Sequence, residues 1–501
     1  MLADSIAAGA GSILYGLEVH RNEGPRDSPE DLRKYSGTLR YRRGGADDGF
    51  SVTAMAYRNR WNATDQIPLR AVEFGQIGRF SNIDASDGGE SSRYSLSYAL
   101  RKRDTGRLFE FDAYAVASRL DLFSNFTYFL DNPEDGDQFT QSEQRRMAGL
   151  NGTYSWTSEI NGLAMRNKIG LQSRFDRLAP VGLHLSVARE RSGAVREDRV
   201  REGSTGVYAE NTIAWLPTFR TVAGVRYDAY RFKIDSNTEG NSGKASDGIV
   251  SPKLSLIFGP WNKTEVFANY GKGFHSNDAR GTTQTRAIDG SPASPVTPLV
   301  GTRGMELGAR TEVIPGLQSS LALWRLNIDS ELLFIGDAGD TEASRASRRS
   351  GVEWNNHYIA APWLLFDPDL AVSRARFTQD DPAGKHIPGS LGKVASFGAT
   401  VTDRGRWSGS VQARYFGPRP LVEDNSVKSC GTALAYARLG YKLSKSTRVS
   451  LDVFNLFDRK ASDVDYLYSS RLPGEPDEGV DDIHFHPVEP RSFRLTLAHS
   501  F

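Results

Sequence analysis

The chain has 501 residues, with 62 Lys plus Arg against 61 Asp plus Glu and a mean hydropathy of −0.46. No window holds the roughly 18 consecutive apolar residues of a spanning helix, which excludes a helical membrane protein but not a β-barrel, whose strands meet lipid only at every second residue. The near-neutral charge, without a basic tail or stripe along the chain, argues against a nucleic-acid partner. The single cysteine, Cys430, lies in Ser429-Cys430-Gly431, reads as an incidental loop residue and rules out an intrachain disulfide framework or cysteine-based zinc site.

The N-terminus, Met1-Leu2-Ala3-Asp4, carries an acid and no base, and the stretch from Ile6 to Leu17 is broken by glycine, so it does not read as a secretory signal. Beyond it the repeating unit is a strand of about ten residues with apolar–polar alternation. Strands are predicted at 12–21, 35–43 and 49–58, then, after a long connection at 59–91, at 92–103 and 107–128. The last two are joined by Asp104-Thr105-Gly106, after which Phe109, Phe111, Ala113 and Ala115 oppose Glu110 and Asp112. Strands at 143–156 and 160–175 precede a second long connection at 176–203, and strands at 204–216, 218–232, 249–259 and 264–272 a third at 273–300. Strands follow at 301–313, 316–330, 346–357, 363–375, 391–402 and 405–417, with short turns at Ile314-Pro315 and Asp403-Arg404. At 431–443, Ala435, Ala437, Leu439 and Tyr441 oppose Tyr436, Arg438 and Lys442; at 446–456, Val449, Leu451 and Val453 oppose Arg448, Ser450 and Asp452. A fourth long connection, 457–490, leads to 491–501, where Phe493, Leu495 and Leu497 oppose Arg494, Thr496 and Ala498.

These amount to about 20 strands, the even number expected of a bacterial single-chain barrel. Long connections rich in Gly, Pro, Asp and Asn, such as Asp131-Asn132-Pro133-Glu134-Asp135-Gly136-Asp137, alternate with short turns. The fold class that follows is all-β: a transmembrane antiparallel β-barrel with short periplasmic turns and long extracellular loops. A soluble sandwich shares the strand alternation but has no reason to alternate its loop lengths. Trp156, Trp215, Trp261, Trp324, Trp354, Trp363 and Trp407 fall mostly near strand ends, as in an aromatic girdle. Arg226, Arg374, Arg414, Arg438 and Arg494 fall on faces assigned to the lumen.

The stretch Leu451-Asp452-Val453-Phe454-Asn455-Leu456-Phe457-Asp458 resembles the penultimate strand of the TonB-dependent receptor family. Tyr270-Gly271-Lys272-Gly273-Phe274-His275-Ser276-Asn277 is similar to a strand-to-loop junction of those receptors, and Phe123 to Phe129 and Ile249 to Leu254 resemble their strands. The closing Phe493, Leu495, Leu497 and Phe501 resemble the signal by which the barrel-assembly machinery selects substrates. The resemblance implies a monomer in the Gram-negative outer membrane, in contact with its lipid, taking up a small-molecule or metal-chelate ligand such as a ferric siderophore. It implies no covalent chemistry, no enzyme activity and no cofactor. In the intact family a plug precedes a barrel of about 22 strands and TonB supplies the energy. The expectation is therefore that residues 1–501 are the barrel domain, with the plug, the TonB-contact region and the first hairpin absent. A plugless passive pore or a non-functional truncated receptor is the alternative.

Two loop clusters are candidate ligand contacts. Asp481, Asp482, His484 and His486 place two imidazoles on one side of an extended chain with carboxylates nearby, a set that suits a divalent ion, although packing on the barrel rim is favoured. His275, Asn277, Asp278 and Arg280 stand at the mouth of the third long loop, where Arg280 suits an anionic chelate and a structural anchor is again favoured. Gly271-Lys272-Gly273-Phe274 superficially resembles a nucleotide loop but has no following helix, and reads as a strand end.

Overall fold

The computed structural model describes residues 1–335 and 340–501. Twenty-one of its strands form one antiparallel sheet, each paired with the next in chain order from Leu2–Ala8 to Ser492–His499. All twenty expected strands are present. The additional one, Leu2–Ala8, pairs with Gly11–Asn22 through a tight turn in which Gly9 takes a positive φ of 57°. Its Ala-rich sequence carries too little side-chain contrast to register as alternation.

Apolar side chains on the outer face are open to the surroundings: Val207, Val225, Tyr227 and Val250 are 48–54% exposed, whereas the inward Asp228, next to Tyr227, is buried. In water this would waste apolar area; in a bilayer it is the lipid-facing band. Toward the short-turn rim the outer face carries aromatic contacts, including Phe219 stacked on Phe258 at 4.9 Å, Trp407 against Tyr441 at 4.6 Å and Tyr154 on Trp156 at 5.6 Å. This is the expected girdle, although Trp324 lies on the inner face, beside Gly351.

Two expectations are corrected. Residues 176–203 are not a loop. They are the upper ends of Leu163–Val187 and Glu190–Leu216, a hairpin closed by Ala188 and Arg189, both at positive φ. The outer face there is polar (Arg177, Arg199, Arg201), which hides a strand from a hydropathy reading, while the inner face buries Leu178 and Val200 with Phe232, Ile234 and Ala279. Arg374 does not face the lumen. It shares the outward face of exposed Val372, while Ala375 between Arg374 and Arg376 is buried inward.

The sheet's two edges make no ladder with each other. Antiparallel neighbours alternate in direction, so in a run of twenty-one strands the first and last run the same way. At the last edge Phe493, Leu495 and Leu497 are 66–74% exposed.

Candidate functional site

The long-loop rim is closed by insertions that fold onto one another. Ile67–Pro68 adds to the hairpin of Ser462–Ser470 and Val480–Pro487, so residues more than 400 positions apart form one small sheet above the barrel. Arg70, in the short helix Leu69–Glu73, rivets it. Its guanidinium donates to both carboxylate oxygens of Glu475 (2.8 and 2.7 Å) and to the Ser470 carbonyl (3.0 Å), while its backbone N–H donates to Asp482 (2.8 Å). The fork geometry matches a carboxylate bidentately, and Arg70 in turn holds the Glu475 carboxyl below the usual range.

His484 is fully buried, stacked on Tyr468 with ring centroids 3.7 Å apart. Burial pushes its pKa down to about 4, so the ring is neutral. Nδ1, 3.0 Å from the Asp482 carbonyl, is then the donor, and Nε2 accepts from the Ser470 hydroxyl at 2.7 Å. Nε2 of His486 meets the Arg26 guanidinium, which can only donate; burial, then the Arg26 charge, lower that imidazole. Asp481 accepts the Ser469 hydroxyl. The four residues expected to gather around a divalent ion are thus engaged in cross-strand and cross-loop bonds, and among the described residues no group of three His, Cys, Asp or Glu is arranged to hold a metal.

Beside this cap lies a carboxylate cluster that no sequence motif marks. Asp87 is buried near Asp65 and Asp84; burial first, then those charges, push its pKa up to about 10, and burial lifts Asp65 to about 6. Gln138 donates to Asp87 (3.2 Å) and the Asn125 backbone N–H to Asp65 (2.8 Å). The three acids share one long insertion, so only their folding against 125–138 reveals them.

The second candidate cluster divides. His275 ends the strand Thr264–Ser276, paired with Val300. Asn277 is buried and pins the base of its loop, donating from its side chain to Thr297 (2.6 Å) and from its backbone to Pro298 (2.9 Å). Asp278 caps the single turn Ala279–Thr282 and binds the Arg280 guanidinium at 2.7 Å, which holds its carboxyl low despite burial. Ala279 plugs into the inner wall against Leu178, Val200 and Ile234. Arg280 and Asp278 therefore face a lumenal recess of 300 Å³ with Glu143, Arg145, Arg174 and Glu202. Along this wall Arg and Asp two apart on one strand pair in place: Arg174–Asp176 at 2.6 Å, Arg226–Asp228 at 2.7 Å, Arg196–Asp198 at 2.7 Å. A wider cleft of 1240 Å³ opens at the rim between 127–139, the tip of the 163–216 hairpin and 281–297.

An antiparallel meander with a lipid-facing band, one rim of short turns and the other capped by interlocked insertions defines an outer-membrane barrel with an external vestibule. The family model for the TonB-dependent receptor-like β-barrel matches residues 23–456, and the chain belongs to that family. It is a family of receptors and transporters of the Gram-negative outer membrane, not of enzymes. The chain is 24% identical over 297 residues to the pesticin receptor of Yersinia enterocolitica, covering 55% of this chain and 43% of that one. It is 23% identical over 345 residues to the catecholate siderophore receptor Fiu of Escherichia coli K12, covering 61% and 43%. The chain thus spans less than half the length of these curated relatives. The closed form of Fiu superposes with a TM-score of 0.78 at 15% identity, over 99% of this chain and 78% of that one. The unliganded ferric citrate transporter FecA superposes with 0.77 at 14%, over 98% and 73%. At such identities the superpositions establish the fold alone.

Proposed function

We propose that this barrel is the membrane part of a receptor that takes up a ferric siderophore or another metal chelate, energised through TonB. The observation that carries the reading is the stepped opening: a wide rim cleft above a recess in which Arg145, Arg174 and Arg280 stand with acidic partners. An anionic chelate entering such a recess exchanges those partners for its own carboxylates or catecholates, and guanidinium forks favour it geometrically. Arg280 and Asp278 are the proposed contacts, with His275 and Asn277 setting the loop. Asp481, Asp482, His484 and His486 act as the cap's framework. The relatives' names, a catecholate receptor and a pesticin receptor, agree with this class. Phe493, Leu495 and Leu497 of the last strand, with Phe501 just beyond it, are proposed to serve recognition by the barrel-assembly machinery.

The test is equilibrium binding of ferric catecholate and ferric citrate to the refolded chain, followed by intrinsic fluorescence. Arg280→Gln is expected to weaken the preferred chelate about tenfold. Absence of binding to either chelate, together with a large ungated conductance in planar bilayers, would establish the passive pore instead.

A further inference from the structure

The rim cleft and the recess below it differ in chemistry. The recess gathers Arg145, Arg174 and Arg280 with Glu143, Glu202 and Asp278. Among the described residues no Lys, Arg or His lines the 1240 Å³ cleft, whose charges are Asp131, Asp137 and Asp289. Leu183, Leu185 and Val187 form one of its walls, and Ile288, Pro295 and Val296 another. Leu185 and Ile288 are 53% and 41% exposed. They do not belong to the lipid-facing band, because the wall of the hairpin is its inner face, beyond the level at which its outer face turns polar at Arg177.

One strand carries both surroundings. Along Leu163–Val187 the inner face passes from Leu178 and Val181 in the recess to Leu183, Leu185 and Val187 in the cleft. From Val181 to Val187 the chain covers about 20 Å at ~3.3 Å per residue. On the facing loop Arg280 belongs to the recess and its neighbour Gly281 to the cleft. The two spaces therefore share a boundary, and a ligand seated in the recess extends its outer part along the cleft walls.

Those walls restrict what the outer part can be. Apolar side chains open to water on a rim gain from being covered by hydrocarbon. Three carboxylates without a base repel an anion, so the negatively charged end of a chelate turns toward the arginines. Among the described residues Phe139 is the one aromatic side chain in the lining, so aliphatic burial outweighs ring stacking.

We propose that the ligand is an acylated metal chelate, with an anionic chelating head held in the recess and an aliphatic tail laid in the cleft. This rests on the recess being the seat of an anionic chelate, and it narrows the ligand to an amphiphilic class. A compact hydrophilic chelate such as ferric citrate leaves the cleft walls uncovered.

The probes are ferric complexes of one carboxylate-bearing hydroxamate head in N-acetyl, N-octanoyl and N-dodecanoyl form. Each is titrated below its micellar concentration against the refolded full chain in lipid nanodiscs, with empty nanodiscs subtracted. A fully buried methylene is worth about fourfold in affinity, so the octanoyl form is expected to bind at least about tenfold more tightly than the acetyl form, and the dodecanoyl form more tightly again. Leu185→Asn with Ile288→Asn should remove most of this gain, the loss growing with tail length, whereas Leu185→Met with Ile288→Val should keep it. Arg280→Gln should weaken all three forms by the same factor, about tenfold. Dodecanoate without the metal-binding head should bind at least about tenfold more weakly than the dodecanoyl chelate. Should the asparagine pair fail to refold, the length series on the parent chain decides alone. Equal affinity along the series overturns the proposal and leaves chelate binding intact. Dodecanoate binding as tightly as its chelate, or failure of every form to bind, overturns both.

Discussion

Two buried titratable side chains set the pH response of the cap, with opposite signs. The folded pKa of His484, about 4, lies below the ordinary 6.5, so its contribution is whole above pH 6.5 and is lost as pH falls through 4. Proteolysis of the 457–490 hairpin should accelerate over that window. His484→Ala should expose it at pH 7 as well, costing about 1–3 kcal/mol through the lost stack and the lost acceptor for the Ser470 hydroxyl proton. Asp87 works the other way. Its folded pKa is raised, so its contribution is whole below about 4 and declines as pH rises toward 10. Asp87→Asn mimics the protonated acid and keeps an acceptor for Gln138. It should slow amide exchange at Asn125 at pH 8 by on the order of 1 kcal/mol of added protection and leave pH 4 unchanged. Faster exchange at pH 8 would mean that the carboxylate is ionised and compensated in the fold.

At the scale of elements, alternation within a strand was legible wherever one face meets hydrocarbon. Leu439 against Arg438 and Leu451 against Asp452 announce their faces because lipid and water demand opposite side chains. The signal ends where the outer face leaves the bilayer. Above Phe175 both faces of the 163–216 hairpin carry charge, with Asp176 inside and Arg177 outside, so the strand reads as loop although it continues to Val187. What holds it there is the inner cluster around Val200 and Ile234. Ile234→Ala should cost about 2–5 kcal/mol locally. Because Ala279 seats in that cluster, the loss should also loosen 277–298, seen as faster exchange at Asn277 while Val207 is unaffected. The candidate site was legible only as residue types: His484 and Asp482 look like ligands in sequence because nothing there reveals Arg70, 412 residues from Asp482, or Ser470 on the opposing strand, 14 residues from His484.

For the whole molecule the decisive number is the parity of the sheet. The edges Leu2–Ala8 and Ser492–His499 run in the same direction, so they cannot complete an antiparallel ladder with each other; closure by antiparallel pairing alone needs an odd number of further strands between them. In hydrocarbon every unpaired N–H or C=O costs several kcal/mol, so a bilayer penalises the bare seam strongly. One strand in that gap separates the edges by about 9.6 Å, beyond the ~7 Å Cα separation that a disulfide bridges. In a Cys430→Ser background, Ser5→Cys with Thr496→Cys should therefore stay reduced under oxidising conditions that join Ile6→Cys to Ile13→Cys, which sit directly opposite in the first hairpin. A high yield of the Ser5–Thr496 bridge would mean that the sheet closes on itself by a parallel pair, with a smaller circumference and a different shear. A reagent spanning about 10 Å should link the same two positions if the seam admits a single strand, and should fail if the edges splay apart.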